Sequence, residues 1–265
     1  MKIGVIGLGV VGSAIKIGFE RLGHEVSCHD IKLNTTIDII IDSEIVFLCV
    51  PTPQGDDGSC DTSIIISVLK ELSEKGYTGI VAIKSTVECG FTQTAIDDYT
   101  NLTLCFVPEF LRERCALDDF IHNHNLLAVG THDKFVFDKL VEAHGHYPKD
   151  TVKLKPTEAE ILKYYNNVFA AYKIIFANIM SEVCGKLNCD YTTVKDAFIK
   201  FGRCKDTYLD VNENLKGYGG MCLPKDVKAM TKLLEKLNID FDTFKSIDKD
   251  NSKLKTTVFN GMRKR

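Results

Sequence analysis

The sequence lacks three features, and each absence excludes a class of protein. Its ten cysteines include no Cys-x-x-Cys pair, so the commonest metal-ligand spacing does not occur. Basic and acidic side chains nearly balance, 33 against 36, and a net charge of −3 provides no basic footprint for nucleic acid. No uninterrupted apolar run reaches the roughly 18 to 20 residues that span a bilayer, so we expect a cytoplasmic protein with no membrane segment.

What is present is the composition of an ordinary globular protein. The 265 residues are 45% hydrophobic and 26% charged, enough for one large or two modest domains without disulfide staples. Cys28, Cys49 and Cys105 lie inside apolar, strand-like runs, where a cysteine acts as a small hydrophobe. We therefore expect free thiols. His122 and His124 have no third ligand nearby, so no metal site is expected.

Short β-branched runs alternate with amphipathic helical stretches through the first part of the chain. This alternation predicts an α/β fold, a Rossmann-type doubly wound parallel sheet, over residues 1–155. The predicted strands are residues 2–6, 25–29, 44–50, 79–84, 102–107 and 126–130, and the clearest helices are residues 63–72 and 133–143.

After Pro156 the pattern becomes helical. Apolar residues recur at helical spacing over residues 158–187, which predicts one long connecting helix. Thr157 followed by Glu160 predicts a capping box at its start. Shorter helices are predicted at residues 192–201, 227–237 and 240–255, so residues 156–265 form a small all-helical domain.

A glycine-rich turn follows the first predicted strand and opens a helix. Its residues are Gly7, Leu8, Gly9, Val10, Val11 and Gly12. In that context the GxGxxG pattern predicts a dinucleotide site, with the phosphates at the helix N-terminus. Asp30 closes the second strand, where a carboxylate accepts hydrogen bonds from ribose hydroxyls and repels a 2′-phosphate, so NAD is favoured over NADP. Lys32 weakens that preference, and a purely structural turn is the alternative.

A second glycine-rich segment places a cysteine beside charged residues. Gly219 and Gly220 precede Met221 and Cys222, and the sequence continues Leu-Pro-Lys-Asp. Glycines let a bulky ligand approach the backbone, and a thiolate held there can attack a carbonyl. Lys225 and Asp226 resist burial unless they are paired. We interpret the segment as a reactive-cysteine loop; passive core is the alternative.

Together these features resemble the UDP-glucose/GDP-mannose dehydrogenase family over nearly the whole chain. The motifs that carry the resemblance are, in order, the glycine turn, Val50-Pro51-Thr52-Pro53, Lys84-Ser85-Thr86-Val87, Pro108-Glu109-Phe110-Leu111, residues 163–167 and the cysteine loop. The resemblance implies an NAD-dependent four-electron oxidation of a nucleotide sugar, UDP-glucose above all, to its uronate. It also implies that Cys222 forms a thiohemiacetal and then a thioester, which water cleaves.

The resemblance further implies roles for individual residues. Lys163 and Asn167 would hold the developing oxyanion, Asp226 would order water with Lys163, and Glu109 would be the acid/base for thioester hydrolysis. The implied cofactor residues beyond the glycine turn and Asp30 are Val50, Pro51, Thr52, Pro53, Ser85, Thr86 and Glu113. Thr86 and Glu113 would lie against the nicotinamide half, and Thr86 would also be catalytic. The implied substrate residues are Glu109, Phe110, Leu111, Lys163, Asn167, Arg203, Tyr218, Gly219 and Gly220. A helix cap for Glu109 and a solvated surface position for Lys163 are the bland alternatives.

The resemblance also bears on partners. It implies a homodimer through the long helix, with Arg203 reaching the neighbouring active site, although the Cys204-Lys205-Asp206 that follows departs from the family's pattern. Full-length members carry a third, nucleotide-gripping domain for which we expect no room here, so a natural short form, a shortened piece and a separate chain supplying that domain stay open.

Two other functions stay open as well. One is a single-step NAD-dependent dehydrogenase of the 3-hydroxyacid type, which has a similar fold, uses a lysine of the long helix and does not need Cys222. The other is a non-catalytic NAD-binding dimer. Two NADH per substrate would indicate the nucleotide-sugar reaction, one would indicate the hydroxyacid reaction, and none would indicate a binding protein.

Overall fold

A computed structural model describes residues 1–55, 58–212 and 216–254 of the chain. Residue contacts divide the chain into two units, Met1–Lys163 and Tyr164–Arg265. The sequence-based boundary after residue 155 stays a prediction. Residues 255–265, which we assigned to the helical domain, lie outside the described part.

The first unit is built on a seven-stranded sheet in the order β2-β1-β3-β4-β5-β6-β7. Its strands are β1 Lys2–Ile6, β2 Glu25–His29, β3 Ile45–Leu48, β4 Ile80–Ile83, β5 Thr103–Phe106, β6 Leu127–Gly130 and β7 Thr151–Leu154. Strands β1 to β5 pair in parallel. The predicted Rossmann-type doubly wound α/β fold is confirmed.

Two details of the sheet differ from the sequence prediction. β6 pairs with β5 antiparallel, and β7, which the sequence did not reveal, runs parallel to β6. A parallel connection needs a crossover segment that returns along the sheet. The connection from β5 to β6 contains a helix of only six residues, Ala116–Ile121, about 9 Å long. β6 enters the sheet from the opposite end, as its antiparallel pairing with β5 shows.

Both faces of the sheet are buried, which explains its apolar strands. Successive β3 residues point to opposite faces, so Val46 and Leu48 lie in one core cluster and Ile45 and Phe47 in the other. The helices of this unit are α1 Val10–Arg21, α2 Ser63–Glu74, α3 Phe91–Asp98, α4 Ala116–Ile121 and α5 Lys134–His144. Two 3₁₀ turns, Ile37–Ile40 and Glu113–Cys115, complete it.

The long helix α6 runs over Pro156–Lys186, as predicted apart from its first residues. The predicted capping box is wrong: Glu158, not Thr157, caps the start by accepting the Lys155 N–H at 2.8 Å. Pro156, at the first helical position, has no N–H and therefore needs no acceptor there. By length and composition α6 would also suit a membrane span, a test that core helices of soluble proteins pass too.

The second unit is helical, as predicted. Its further helices are α7 Tyr191–Lys200, α8 Leu223–Lys236 and α9 Thr243–Ser252; Lys255, the predicted end of the last, lies outside the described residues. Asp190 caps α7 by accepting the N–H groups of Thr192 and Thr193. A small core of Val168, Ala171, Ile175, Tyr218, Val227 and Ile247 joins α6, α8 and α9.

Candidate functional site

The glycine turn has the shape that a dinucleotide phosphate requires. Gly7 has φ +91°, and a Cβ there would lie 2.7 Å from the Cys49 carbonyl oxygen. A Cβ on Gly12 would lie 1.9 Å from the Gly7 carbonyl oxygen, so Gly12 allows α1 to pack on β1. A Cβ on Gly9 would meet nothing within 4 Å. Open space therefore lies at the N-terminus of α1. The cap residue is Gly9, which has no side chain to cap the helix.

These features fit NAD. The first-turn N–H groups of α1 can donate hydrogen bonds to an anion, and the missing Cβ of Gly9 leaves room for a pyrophosphate. Leu8, Val10 and Val11 complete the turn. The residues present therefore suit the cofactor that the sequence predicted.

Asp30 has a structural role that the sequence did not reveal. Its Oδ2 accepts the Leu8 N–H at 2.7 Å and its Oδ1 accepts the Lys32 N–H at 2.8 Å. These hydrogen bonds lower the pKa of Asp30, so the carboxylate is ionised at neutral pH. It ties the end of β2 to the glycine turn, and its remaining lone pairs still suit ribose hydroxyls.

The other predicted cofactor residues follow β3 and β4, whose carboxyl ends lie side by side. Ser85 Oγ donates to the Val50 carbonyl at 2.6 Å, and the Cys60 thiol lies 3.1 Å from the Thr86 carbonyl oxygen. These contacts join the segment containing Pro51, Thr52 and Pro53 to the one containing Thr86. Glu113 lies further away along the chain, exposed on its 3₁₀ turn.

Glu109 lies at the centre of a buried charged group in the first unit. Its Oε2 is 3.0 Å from Lys84 Nζ, and the two side chains are 11% and 2% exposed. Its Oε1 accepts the N–H groups of Phe110 and Leu111 at 2.7 and 2.9 Å. Lys163 Nζ donates to the Glu109 backbone carbonyl and lies 5.7 Å from the centre of the Phe110 ring. The structure thus brings together Glu109, Phe110 and Lys163, and adds Lys84.

Opposing effects act on the Glu109 carboxyl. Burial raises its pKa, but Lys84 above all, then Lys163 and the Leu111 N–H, lower it, and the net pKa lies below the usual range. Glu109 is therefore a carboxylate at neutral pH. Of the predicted acid and base roles, this environment favours the base.

The second unit holds its own buried polar group. Asn167 Nδ2 donates to Asp226 Oδ2 at 2.6 Å, and Lys225 Nζ lies 2.9 Å from Asp226 Oδ1. Asp226 is completely buried. The Asn167 oxygen accepts from Asn166 at 2.9 Å. These contacts fix the orientation of the Asn167 amide and pair the Asp226 carboxylate with Lys225, although Oδ1 makes no hydrogen bond among the described residues. We had predicted that Asp226 orders water.

Cys222 lies at the N-terminus of α8, with its side chain exposed. Its carbonyl accepts the Asp226 N–H at 2.9 Å and so begins the helix. A helix N-terminus carries partial positive charge, which stabilises a nearby anion. Gly220, two residues earlier, has φ +79°, a conformation that glycine adopts without strain. The thiol is thus at the surface rather than packed in a core.

Tyr218 is a structural anchor of this segment. Its side chain is 1% exposed and lies in the core of the second unit. Asn251 binds both of its backbone polar groups. The Tyr218 ring is therefore packed in the core rather than exposed to a ligand, and the substrate contacts of Gly219 and Gly220 stay a prediction. Residues 214–218 resemble the family's substrate-contacting glycine loop, and Asn214, the first of them, lies outside the described residues.

Arg203 is exposed on the segment after α7, with its guanidinium 5.3 Å from the Phe201 ring centre. That segment is fixed by Lys195, whose Nζ donates to Asp206 at 3.2 Å and Asp210 at 2.5 Å. Lys195 is a further residue that sequence reasoning missed. In the sequence, Lys195 is an ordinary lysine of a predicted helix with Asp206 and Asp210 further along the chain, and this common pattern does not single it out.

The described residues form neither a metal-ligand cluster nor a disulfide. Within the described residues, no group of three His, Cys, Asp or Glu side chains could hold a metal ion. The cysteines are all thiols.

Two family models match the sequence. Residues 31–146 match the NAD binding domain of the UDP-glucose/GDP-mannose dehydrogenase family, and residues 157–253 match its central domain. Both matches follow the order of the two structural units along the chain.

Individual proteins are similar over most of the chain. UDP-glucose 6-dehydrogenase AglM of Haloferax volcanii is 30% identical, covering 87% of this chain and 64% of its own length. UDP-glucose 6-dehydrogenase YwqF of Bacillus subtilis is 26% identical, covering 95% and 66%. The chain therefore spans 64% and 66% of the length of these curated relatives.

Solved structures have the same fold. A UDP-glucose dehydrogenase from Pyrobaculum islandicum superposes with a TM-score of 0.87 at 26% identity, covering 95% of this chain and 68% of that one. A 3-hydroxyisobutyrate dehydrogenase from Mycobacterium tuberculosis superposes with a TM-score of 0.78 at 13% identity, covering 95% and 92%. At that identity the second similarity concerns the fold alone.

Proposed function

Because this chain belongs to the UDP-glucose/GDP-mannose dehydrogenase family, we propose that it oxidises the primary alcohol of a nucleotide sugar to the carboxylate in two NAD-dependent steps. UDP-glucose is the proposed substrate, since the relatives AglM and YwqF are named for it. Residues 1–155 would bind the cofactor and residues 156–265 would contribute the nucleophile.

NAD would be held at the glycine turn, beside Asp30 and the segments after β3 and β4. When bound, it supplies the hydride acceptor for each oxidation. The open space at Gly9 and the absence of a side-chain cap at the start of α1 support this assignment. Thr86 and Glu113 are assigned to the nicotinamide half on the family resemblance.

The observation that carries the four-electron reaction is the exposed Cys222 thiol at the N-terminus of α8. An aldehyde has no second hydride to lose until a nucleophile makes its carbon tetrahedral. Addition of the Cys222 thiolate forms a C–S bond and a thiohemiacetal, whose oxidation gives a thioester. A one-step alcohol dehydrogenase needs no such thiol.

Lys163 and Asn167 are the proposed oxyanion donors. Lys163 uses one N–H for the Glu109 carbonyl and retains two others. Asn167 uses one N–H of its amide for Asp226 and retains the second. Because the orientation of these donors is already fixed, little reorganisation energy is needed when they stabilise the charge that develops during the reaction.

Glu109 is the proposed base for thioester hydrolysis. It accepts a proton from water, the water oxygen bonds to the acyl carbon, and the C–S bond breaks to return the Cys222 thiolate. The depressed pKa of Glu109 supports a group that is ionised before the water arrives.

The long helix α6 is the proposed homodimer contact. Large apolar side chains are exposed along it at intervals of three and four residues: Tyr165, Phe169, Tyr172, Phe176, Ile179 and Val183. An apolar stripe of this kind is typical of a helix that packs on a partner. Arg203 is proposed to act in the neighbouring protomer's site.

Sedimentation velocity tests the dimer. At micromolar concentration the wild-type protein should sediment as a dimer and the F176D variant as a monomer. F135D, which changes an exposed residue of α5, should leave the mass of the dimer unchanged. A wild-type monomer would contradict this proposal.

We place the protein in the cytoplasm. Its cysteines remain thiols, which is typical of a reducing compartment, and nucleic acid and membrane are not proposed partners. Whether a separate chain contributes a nucleotide-gripping domain can be tested by adding such a domain from a relative and measuring KM.

The test of function is an NADH-production screen over UDP-glucose, GDP-mannose, UDP-N-acetyl sugars and small hydroxyacids. We expect the wild-type protein to form two NADH per UDP-glucose. The C222S variant should form no NADH in the second oxidation. C189S, which changes another exposed cysteine, is the matched control and should keep wild-type turnover. One NADH per hydroxyacid would instead establish the single-step reaction. NAD binding without any turnover would establish a binding protein.

A further inference from the structure

Lys84 is a buried ammonium with no assigned role in the proposed reaction. It follows β4, and its backbone N–H continues the sheet by donating to Leu48 at 2.9 Å. Its side chain is 2% exposed, and its Nζ lies 3.0 Å from Glu109 Oε2. Burying an ammonium is costly unless a counter-charge is held close to it. The end of a strand therefore fixes the position of Lys84, and one carboxylate balances its charge.

The other titratable groups around Lys84 are neutral near pH 7. Burial raises the pKa of the Cys49 and Cys105 thiols to about 12. Burial and the Lys84 charge lower the pKa of both His124 and His144. Within the described residues, Glu109 is therefore the only anion paired with Lys84. Lys163, from α6, is the second cation that acts on Glu109 and the weaker of the two.

The two buried oxygens of the Glu109 carboxylate differ in their hydrogen bonds. Oε1 accepts two backbone N–H groups, from Phe110 and Leu111. Apart from the nearby ammonium of Lys84, Oε2 has no hydrogen-bond partner among the described residues. A buried oxygen of this kind retains a lone pair for a water molecule or a substrate hydroxyl.

We propose that Lys84 is a positioning residue that holds Glu109 ionised and oriented, so that Oε2 accepts the proton of the water that cleaves the thioester. This inference rests on the proposed function. In the step, a water O–H bond breaks and its proton moves to Glu109 while the oxygen bonds to the acyl carbon. The C–S bond then breaks and its electron pair returns to the Cys222 sulfur. No other reactant is needed.

The decisive variants are K84M, which keeps length and loses charge, and K84R, which keeps charge. Without the cation, only Lys163 and the Leu111 N–H oppose the effect of burial on Glu109, so the proton is held more tightly. Carbon-13 NMR of carboxyl-labelled glutamate measures this without any turnover, with E109Q identifying the resonance. We expect Glu109 to titrate about one to three pH units higher in K84M than in wild type. An unchanged titration overturns the inference.

Kinetics then test the link to hydrolysis. In K84M, the acid limb of kcat for NADH formation from UDP-glucose should move to higher pH, kcat should recover toward wild type at alkaline pH, and KM should stay the same. Below the limb, intact-mass spectrometry should find acyl-enzyme on Cys222. K84R should keep the wild-type limb, and E109Q should be slow at every pH. A uniform loss of kcat without acyl-enzyme overturns the inference.

Two further outcomes are distinguishable. A wild-type protein that forms no NADH from nucleotide sugars counts against the proposed function, and the NMR titration still decides whether Lys84 holds Glu109 ionised. If circular dichroism shows that K84M does not fold, K84R decides: a Glu109 titration at the wild-type pH supports the inference, and one displaced upward despite the retained charge overturns it.

Discussion

Asn251 on α9 binds both backbone polar groups of Tyr218. The Tyr218 N–H donates to Asn251 Oδ1 at 2.8 Å, and Asn251 Nδ2 donates to the Tyr218 carbonyl at 2.9 Å. A Cβ on the preceding Gly217, which has φ +74°, would lie 2.5 Å from the same Oδ1. One side chain thus fixes the loop that leads to Cys222, and glycine is required for that side chain to fit.

N251A should loosen this loop. It leaves the N–H and C=O of Tyr218 without their partner, so we expect a loss of about 2 to 4 kcal/mol in the free energy of unfolding. The alkylation rate of Cys222, followed by intact mass, should change as well, because the loop no longer sets its position. The exposed Asn123, which donates to Asp118 at 2.7 Å, supplies the control: N123A should cost under about 0.5 kcal/mol. Equal effects of both variants would contradict the anchoring role.

The glycine turn offers a matched pair of substitutions. A methyl group on Gly9 meets no protein atom, whereas one on Gly12 meets the Gly7 carbonyl oxygen at 1.9 Å. G9A should therefore fold with near-wild-type stability, within about 1 kcal/mol, but bind NADH more weakly because the methyl group occupies the phosphate space. G12A should lower the melting temperature itself. NADH fluorescence titration and circular dichroism measure the two effects; a G9A variant with wild-type affinity would mean that the cofactor does not use this space.

The sequence predicted those features that depend on local pattern. Strand and helix alternation predicted the sheet, and the glycine spacing predicted the tight turn at the end of the first strand. The pairings of Lys84 with Glu109 and of Asn251 with Tyr218 join residues 25 and 33 positions apart, and no local pattern specifies which distant side chain a buried lysine or asparagine meets. The direction of β6 was also missed, because strand direction depends on the path of a long connection and not on the local pattern.

Glu160 illustrates a prediction that failed in an informative way. The sequence suggested that it caps its own helix, but its carboxylate accepts the Gly90 and Thr92 N–H groups at 2.6 and 2.7 Å and so caps α3. E160A should cost about 2 to 3 kcal/mol in unfolding free energy, since two donors in a buried position lose their acceptor. E158A removes only the exposed bond to the Lys155 N–H and should cost about 1 kcal/mol or less. Urea unfolding of the two variants compares them; the reverse order would restore the local cap.

His144 makes the stability of the first unit depend on pH. The imidazole is fully buried among Phe19, Phe47 and Phe120. Its Nδ1 lies 2.7 Å from the Leu140 carbonyl, while Nε2 has no partner among the described residues. Burial above all, then the charge on Lys84, lowers its pKa well below the usual value. The folded protein therefore holds His144 neutral, whereas the unfolded chain binds a proton below about pH 6.5.

This difference in proton binding fixes the sign of the effect. Stability from His144 is complete above about pH 6.5 and is lost as the pH falls below it, by up to about 1.4 kcal/mol per pH unit. H144F removes the titrating group and should flatten the dependence of unfolding free energy on pH between about 6.5 and 5, measured by urea titration with circular dichroism. H122F, at an exposed histidine, should keep the wild-type slope. Parallel slopes for wild type and H144F would show that other groups, not this imidazole, govern the acid sensitivity.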